Sequence, residues 1–261
     1  MELRDRTILI TGASTGIGRE LAIKFSSSGN RLILIARRIE LLEELSLLIK
    51  KNGSKAMVLQ CDVSKREEVD KTLRVVGEKY NEINLAVLNS GVSFRTAEGE
   101  QEIDKGVMTF GVNVFGMFYM IEGLQKYSLL RKGSIIAGVS SLADSRGFPR
   151  SGYYSASKAA ASIYLESLRN ELYSSGIKVI TIKPGFVRTP MTDKNEFQMP
   201  FLMPVERGAD IIIRGLEKEK RIIQFPRITV FGIRLLKLMP DFIFDRISRR
   251  HLASLPERKT N

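Results

Sequence analysis

An apolar, β-branched run, Thr7-Ile8-Leu9-Ile10, passes directly into Thr11-Gly12-Ala13-Ser14-Thr15-Gly16-Ile17-Gly18 and from there into a helical pattern. A strand, a glycine-rich turn and a helix in immediate succession leave few choices of fold. Gly12 permits the tight turn, Gly16 removes a side chain where a phosphate group would approach the backbone, and Gly18 lets the helix lie close to the strand. The start of the helix then offers unpaired N–H groups to an anion. Without the flanking strand and helix, the same glycines would read only as a loop.

The rest of the chain repeats this alternation. Short apolar runs recur at 6–11, 31–36, 55–60, 84–88, 133–139, 177–183 and 221–225, separated by helical patterns at about 17–28, 39–51, 65–80, 101–129, 152–175 and 205–219. Such spacing predicts βαβ units: an α/β fold with a doubly wound, seven-stranded parallel sheet and helices on both faces. Residues 1–225 are expected to form one domain, and 226–261 a basic C-terminal helical extension. Between Pro190 and Pro204 the pattern is irregular, as in a loop that closes over a substrate or an ordinary long connection.

Composition excludes several classes. A single cysteine, Cys61, and a single histidine, His251, leave neither a disulfide framework nor a Cys/His metal cluster, so no metal is expected. Met1 to Arg6 carry four charged residues and run straight into the first strand, so no secretion signal is expected. The apolar runs read as shorter than the ~20 residues of a membrane span. A cytoplasmic setting follows as the expectation. Of the net charge of +12, the chain from Arg221 onward holds +6, with nine Lys/Arg against three Asp/Glu. No nucleic-acid-binding module accompanies that charge. Ile228 to Met239 and Asp241 to Leu252 place arginines among Leu, Ile and Phe at helical spacing. They read as terminal helices packed on the domain or a second subunit, or as amphipathic helices in peripheral contact with an anionic membrane.

The spacing Thr-Gly-x-x-x-Gly-x-Gly resembles the short-chain dehydrogenase/reductase family, and further motifs continue the resemblance. Tyr154-Ser155-Ala156-Ser157-Lys158 places a tyrosine and a lysine on one helix face, and Ser141 lies thirteen residues upstream. The resemblance covers about residues 5–190 and implies a Rossmann-type, nicotinamide-dependent enzyme acting between a carbonyl and an alcohol. It assigns Tyr154 as general acid/base and Lys158 as the group that favours its phenolate and holds the nicotinamide ribose. Ser141 would donate to the substrate oxygen, and Asn113 would help hold a proton-relay water. Ser140 and Tyr153 compete for two of these roles, but the Ser-to-Tyr spacing favours Ser141, and only Tyr154 has lysine at the fourth following position.

The same resemblance lays the cofactor against Gly12, Ser14, Thr15, Gly16, Ile17 and Gly18, and against Asp62 and Val63 at the adenine. It adds Asn89 and Gly91 after the fourth strand, then Tyr154 and Lys158, and Pro184, Gly185, Val187 and Thr189 over the nicotinamide. Ser90 departs from the family's alanine in Asn-Ala-Gly. Where an NAD enzyme carries an acid after the second strand, this chain has Ala36-Arg37-Arg38, so NADP(H) is the expected cofactor, with Arg37 the first ligand of the 2′-phosphate and Arg38 its neighbour. Read without the resemblance, the two arginines are a solvated helix start, Asp62 an N-cap and Asn113 a helix-kinking polar residue. A homodimer or homotetramer through 101–129 and 152–175 is expected from the family. Phe94, Phe148, Met191, Phe197, Met199, Phe201 and Met203 suggest an apolar pocket, hence an apolar carbonyl or alcohol substrate. The competing reading is a catalytically silent nucleotide-binding scaffold on the same fold.

Overall fold

The computed structural model describes residues 2–96, 99, 101–195 and 197–253. The seven strands are β1 (Thr7–Thr11), β2 (Arg31–Ala36), β3 (Lys55–Gln60), β4 (Leu85–Leu88), β5 (Ile135–Val139), β6 (Lys178–Pro184) and β7 (Ile222–Phe225). They form one sheet in the order β3-β2-β1-β4-β5-β6-β7, every pair parallel. Central strands such as β1, β4 and β5 are buried along their whole length, as a sheet covered on both faces requires. The edge strand β3 ends in Lys55 and Gln60, both exposed.

Alternation along each strand divides the core in two. Ile8, Ile10, Leu32 and Leu34 pack under Leu21 and Phe25 of α1 (Gly16–Phe25), Leu42 and Leu45 of α2 (Ile39–Lys51) and Ile212 and Leu216 of a later helix. Leu9, Ile33 and Ile35 point the other way, toward Val69, Leu73 and Val76 of α3 (Arg66–Lys79) and toward Met117, Leu124, Leu165 and Leu168. A one-residue slip in any strand would exchange these two faces, so the register is tightly specified.

The long helical pattern at 101–129 is broken in two. Helices α4 (Ile103–Phe110) and α5 (Gly116–Lys126) flank a π-helical turn at Gly111–Phe115. Asn113 lies at its centre, buried, with its amide bound to both backbone polar groups of Val92. A π-turn holds one residue more per turn than an α-helix. By length and composition, Ile103–Lys126 is apolar enough to cross a membrane, and half of it is buried against the rest of the protein. Helices α6 (Gly152–Glu171) and α7 (Val205–Glu217) complete the layers, and the 17–28 pattern ends in a 3-10 turn at Ser26–Ser28.

Beyond β7, the segments read as amphipathic form α8 (Arg227–Leu238) and α9 (Asp241–Ala253). Both are tied to the body: Arg146 bonds Met239 O and Asp241 Oδ1, and Phe148 meets Phe244 edge-on at 6.3 Å between ring centres. The last residues of the expected extension, 254–261, lie outside the described residues.

Candidate active site

Strand order reverses between β1 and β4, and at such a switch point the loops leaving neighbouring strands part to open a cleft at their C-terminal ends. The turn after β1 supplies its floor. Gly12 and Gly16 have φ of +65° and +58°, which side chains rarely adopt. A Cβ on Gly18 would stand 2.5 Å from the Gly12 carbonyl oxygen and 2.6 Å from Asn89 Nδ2, so only glycine lets α1 approach β1 this closely. Thr15 occupies the N-cap without capping through its side chain, and no acidic residue lies in the first turn. The helix start thus retains donors and a positive end suited to a phosphate.

Asn89, at the end of β4, stitches this turn to the sheet: its Nδ2 donates to the carbonyls of Thr11 and Gly12 at 3.1 and 3.2 Å. The Thr11 hydroxyl accepts in return from the N–H groups of Asn89 and Ser90. Arg38 reaches from the end of β2 onto the glycine turn, donating to Ser14 Oγ and Thr15 Oγ1 at 3.1 Å each. Arg37 is the freer cation, its guanidinium 3.9 Å from Asp62 Oδ2. Asp62 also caps the turn before α3, its Oδ1 accepting from the Ser64 N–H and hydroxyl, so its local structural role and its place on the cleft wall coexist. Cys61 borders the cleft with its thiol pushed up to about 11 by burial, which keeps it protonated and unreactive at neutral pH.

The opposite wall is built by β5, β6 and the start of α6. Ser141, Tyr154 and Lys158 line it together with Pro184, Gly185, Val187 and Thr189. Lys158 is buried and its Nζ donates to the Val139 carbonyl at 2.9 Å, with the ammonium 5.8 Å from the centre of the Tyr154 ring. Burial lowers the Lys158 pKa to about 8. Burial also pushes the Tyr154 phenol above its ordinary value; a hydrogen bond with Ser141 works against that, and the negative charge of Asp144 adds to it. In the free protein, desolvation therefore outweighs the phenolate-favouring effect expected of Lys158. Asn113 stands behind this group rather than on the cleft wall, bound to Val92 and to Ser157 Oγ, and a Cβ on Gly91 would touch both its Oδ1 and Lys158 Nζ.

The two competitors point elsewhere. Ser140 Oγ donates to the backbone carbonyl of Lys158, and the Tyr153 hydroxyl faces Gln101 beneath α4. A group that no motif announced lies behind Ser141: Asp144 Oδ2 is 2.6 Å from Lys183 Nζ and 2.5 Å from the Ser162 hydroxyl, which is 2.8 Å from Ser140 Oγ. A partly buried ion pair thus braces the loop that carries Ser141 against β6 and α6. Position 144 and position 183 are far apart in sequence, and nothing local in either segment marks the pairing.

The apolar residues expected to form one pocket disperse. Met203 is buried in the core, Phe148 lies under α9, Phe201 is exposed, and Phe197 packs on Phe186 beneath the Arg95 guanidinium. Only Met191 borders the cleft, on a loop closed at its base where Arg188 and Phe186 pair with Met203. Among the described residues, no group of His, Cys, Asp and Glu side chains is arranged to hold a metal ion.

A sequence model described as short chain dehydrogenase matches residues 6–199. An uncharacterized oxidoreductase of Myxococcus xanthus is 32% identical over 95% of this chain and 98% of its own. A fatty acyl-CoA reductase of Acinetobacter baylyi is 29% identical over 85% of this chain and 76% of its own. Among solved structures, a short chain dehydrogenase/reductase from Burkholderia phymatum in complex with NAD superposes with a TM-score of 0.81 at 22% identity, over 90% of this chain and 94% of that one.

Proposed function

The chain belongs to the short-chain dehydrogenase/reductase family, and from that premise we propose that it is an NADP(H)-dependent oxidoreductase interconverting a carbonyl and an alcohol. The observation that carries this reading is the meeting of Ser141, Tyr154 and Lys158 on the wall of the same cleft whose floor is the glycine turn. The positive-φ glycines, the uncapped helix start and the two arginines fit a dinucleotide with an extra phosphate. Gly12, Ser14, Thr15, Gly16 and Ile17 would hold the pyrophosphate, Gly18 keeping α1 close; Asp62 and Val63 would hold the adenine, and Asn89, Gly91, Pro184, Gly185, Val187 and Thr189 the nicotinamide end.

When bound, the nicotinamide supplies or accepts the hydride. The chain's own residues move the proton. In the reducing direction, Tyr154 gives its phenolic proton to the substrate oxygen while Ser141 donates a hydrogen bond to it. Lys158, fixed by the Val139 carbonyl, would stabilise the phenolate that remains and, with the cofactor bound, would hold its ribose through the same ammonium. Asn113 braces the segment after β4 and serves the relay that restores the proton. In the oxidising direction the same groups act in reverse.

The test of cofactor choice is fluorescence titration with NADPH and NADH, and the two arginines differ in what they predict. Arg37→Ser is expected to weaken NADPH binding about 10- to 100-fold, as loss of a charge-assisted phosphate contact does, with little change for NADH. Arg38→Ser removes the bonds to Ser14 and Thr15 as well, so it is expected to weaken both cofactors. Tighter binding of NADH by the unmodified protein would reverse the assignment. Turnover is tested by a carbonyl panel followed by NADPH absorbance, beginning with long-chain acyl and alkyl carbonyls, since a relative bears the name fatty acyl-CoA reductase.

A homo-oligomer belongs to the same proposal. Ile103, Val107, Phe115 and Ile163 are exposed on the face of α4, the π-turn and α6. Light scattering is expected to give a dimer or tetramer, and Ile163→Arg a smaller species; an unchanged mass in that variant would move the contact elsewhere.

A further inference from the structure

Helix α8 carries apolar side chains on its outer side. Ile228 is 57% exposed, Phe231 65%, Leu235 52% and Leu238 83%, and at intervals of three and four residues they form a single stripe. Phe242, 75% exposed, stands at the start of α9. The inner side of these helices already packs on the body through Val230 and Phe244, so the stripe is not a face waiting for its own core.

The surroundings of the stripe are predominantly basic. Arg227, Arg234, Lys237, Arg246, Arg249 and Arg250 are all exposed on α8 and α9, and none forms an ion pair among the described residues. Their acidic neighbours are Asp245 and Asp241, and Asp241 is engaged by Arg146. Beside the stripe, a groove between α7, β7 and α8 brings Lys220, Arg227 and Arg234 next to Ile222 and Phe231. A second copy of this face would bring six like charges against six, which disfavours self-association there. The α4–α6 face carries both signs, exposed Asp104 near the Lys105–Glu102 pair, and suits a second copy better.

We propose that α8 and α9 dock the protein on an anionic phospholipid bilayer, with Phe231, Leu235, Leu238 and Phe242 entering the interface and the flanking arginines meeting lipid phosphates. Exposed aromatic and leucine side chains with cations alongside are what such an interface rewards, through apolar burial and attraction to the surface charge together. One short stretch of chain links this face to the cleft. Arg146 and Phe148, which hold α8 and α9, follow directly on the loop bearing Ser141 and Asp144. A bilayer held there would be a source of the apolar carbonyl or alcohol proposed above as the substrate. The docking itself does not depend on the catalytic reading.

The test is co-sedimentation of the full chain with phosphatidylcholine vesicles and with vesicles containing phosphatidylglycerol. Partitioning is expected to be about tenfold stronger with the anionic vesicles and to fall as salt is raised. A Phe231→Ser/Leu235→Ser variant and an Arg246→Ser/Arg249→Ser/Arg250→Ser variant should each lose most of it while titrating with NADPH as the unmodified chain does. Unchanged NADPH titration would show that the fold survives, and a failure to bind NADPH in all forms would count against the cofactor reading alone. Equal binding to both vesicle types, no binding, or full binding by either variant would overturn the proposal. So would a drop in mass for Phe231→Ser/Leu235→Ser in light scattering, which would assign the face to a second copy.

Discussion

Tyr154→Phe is expected to lower kcat about a thousandfold or more while NADPH binds with unchanged affinity. The substitution removes one oxygen from a side chain whose ring packs beside the Lys158 ammonium, so the cleft keeps its shape and loses only the proton donor. An oxygen left without a donor as hydride arrives must take its proton from water, which is neither positioned nor matched in acidity. The pH profile gives a second reading. Burial holds the Tyr154 phenol above its ordinary value in the free protein, so the protonated form required for reduction persists through neutral pH. Reduction should therefore decline only on the alkaline side, and oxidation of the alcohol should rise with pH across the same limb. In Tyr154→Phe both slopes should vanish with the activity. Turnover within tenfold of the unmodified chain would remove Tyr154 from the proposed role.

How far this site was readable from the sequence depends on whether its determinants are local. The glycine turn was legible because each glycine answers a local demand: φ at Gly12 and Gly16, close packing at Gly18. Tyr154 and Lys158 were legible as neighbours because residues four apart on a helix share one face, whereas Ser141 entered only through the family resemblance. The seven strands emerged within two residues of their expected limits, since parallel strands buried on both faces are continuous apolar runs. What escaped detection is non-local. The Asp144–Lys183 pair joins a loop after β5 to the end of β6, and Asn113, at the centre of the π-turn, bonds back to Val92 of a distant segment. Periodicity foretold α8 but not its orientation. The helix is apolar around more than half its girth, so a wheel alone does not decide between Val230, which faces the body, and Phe231, which faces out. The supposed pocket failed for a similar reason. Phe148, Phe197 and Met203 are close in composition but are claimed by three different neighbours.

Lys158→Met should abolish turnover to a similar degree and at the same time make the protein more stable. Burial lowers the Lys158 pKa from 10.5 to about 8, so at neutral pH the folded state still carries the proton but binds it less tightly than the unfolded chain does. That displacement corresponds to about 3 kcal/mol of strain in the charged form. Methionine fills the same channel without charge, but it leaves the Val139 carbonyl without its donor, which costs about 1 kcal/mol. The net gain expected is about 2 kcal/mol, a rise in Tm of about 5 °C for a domain of this size. Its pH dependence follows from linkage. Between about 8 and 10.5, the unfolded chain holds the lysine proton and the folded chain does not, so the unmodified protein gains stability as pH rises through that window. The advantage of Lys158→Met is accordingly full below about pH 8 and shrinks toward 10. Tyr154 works in the opposite sense, its raised pKa withdrawing stability only once the pH passes the ordinary phenol value. Thermal melts of both proteins across pH 6 to 10 would decide the matter; a variant that melts lower than the unmodified chain at pH 7 would mean that the ammonium stabilises the fold rather than straining it. The expected result marks Lys158 as a residue retained at the expense of stability, which is how a buried cation with a chemical duty differs from one that merely packs.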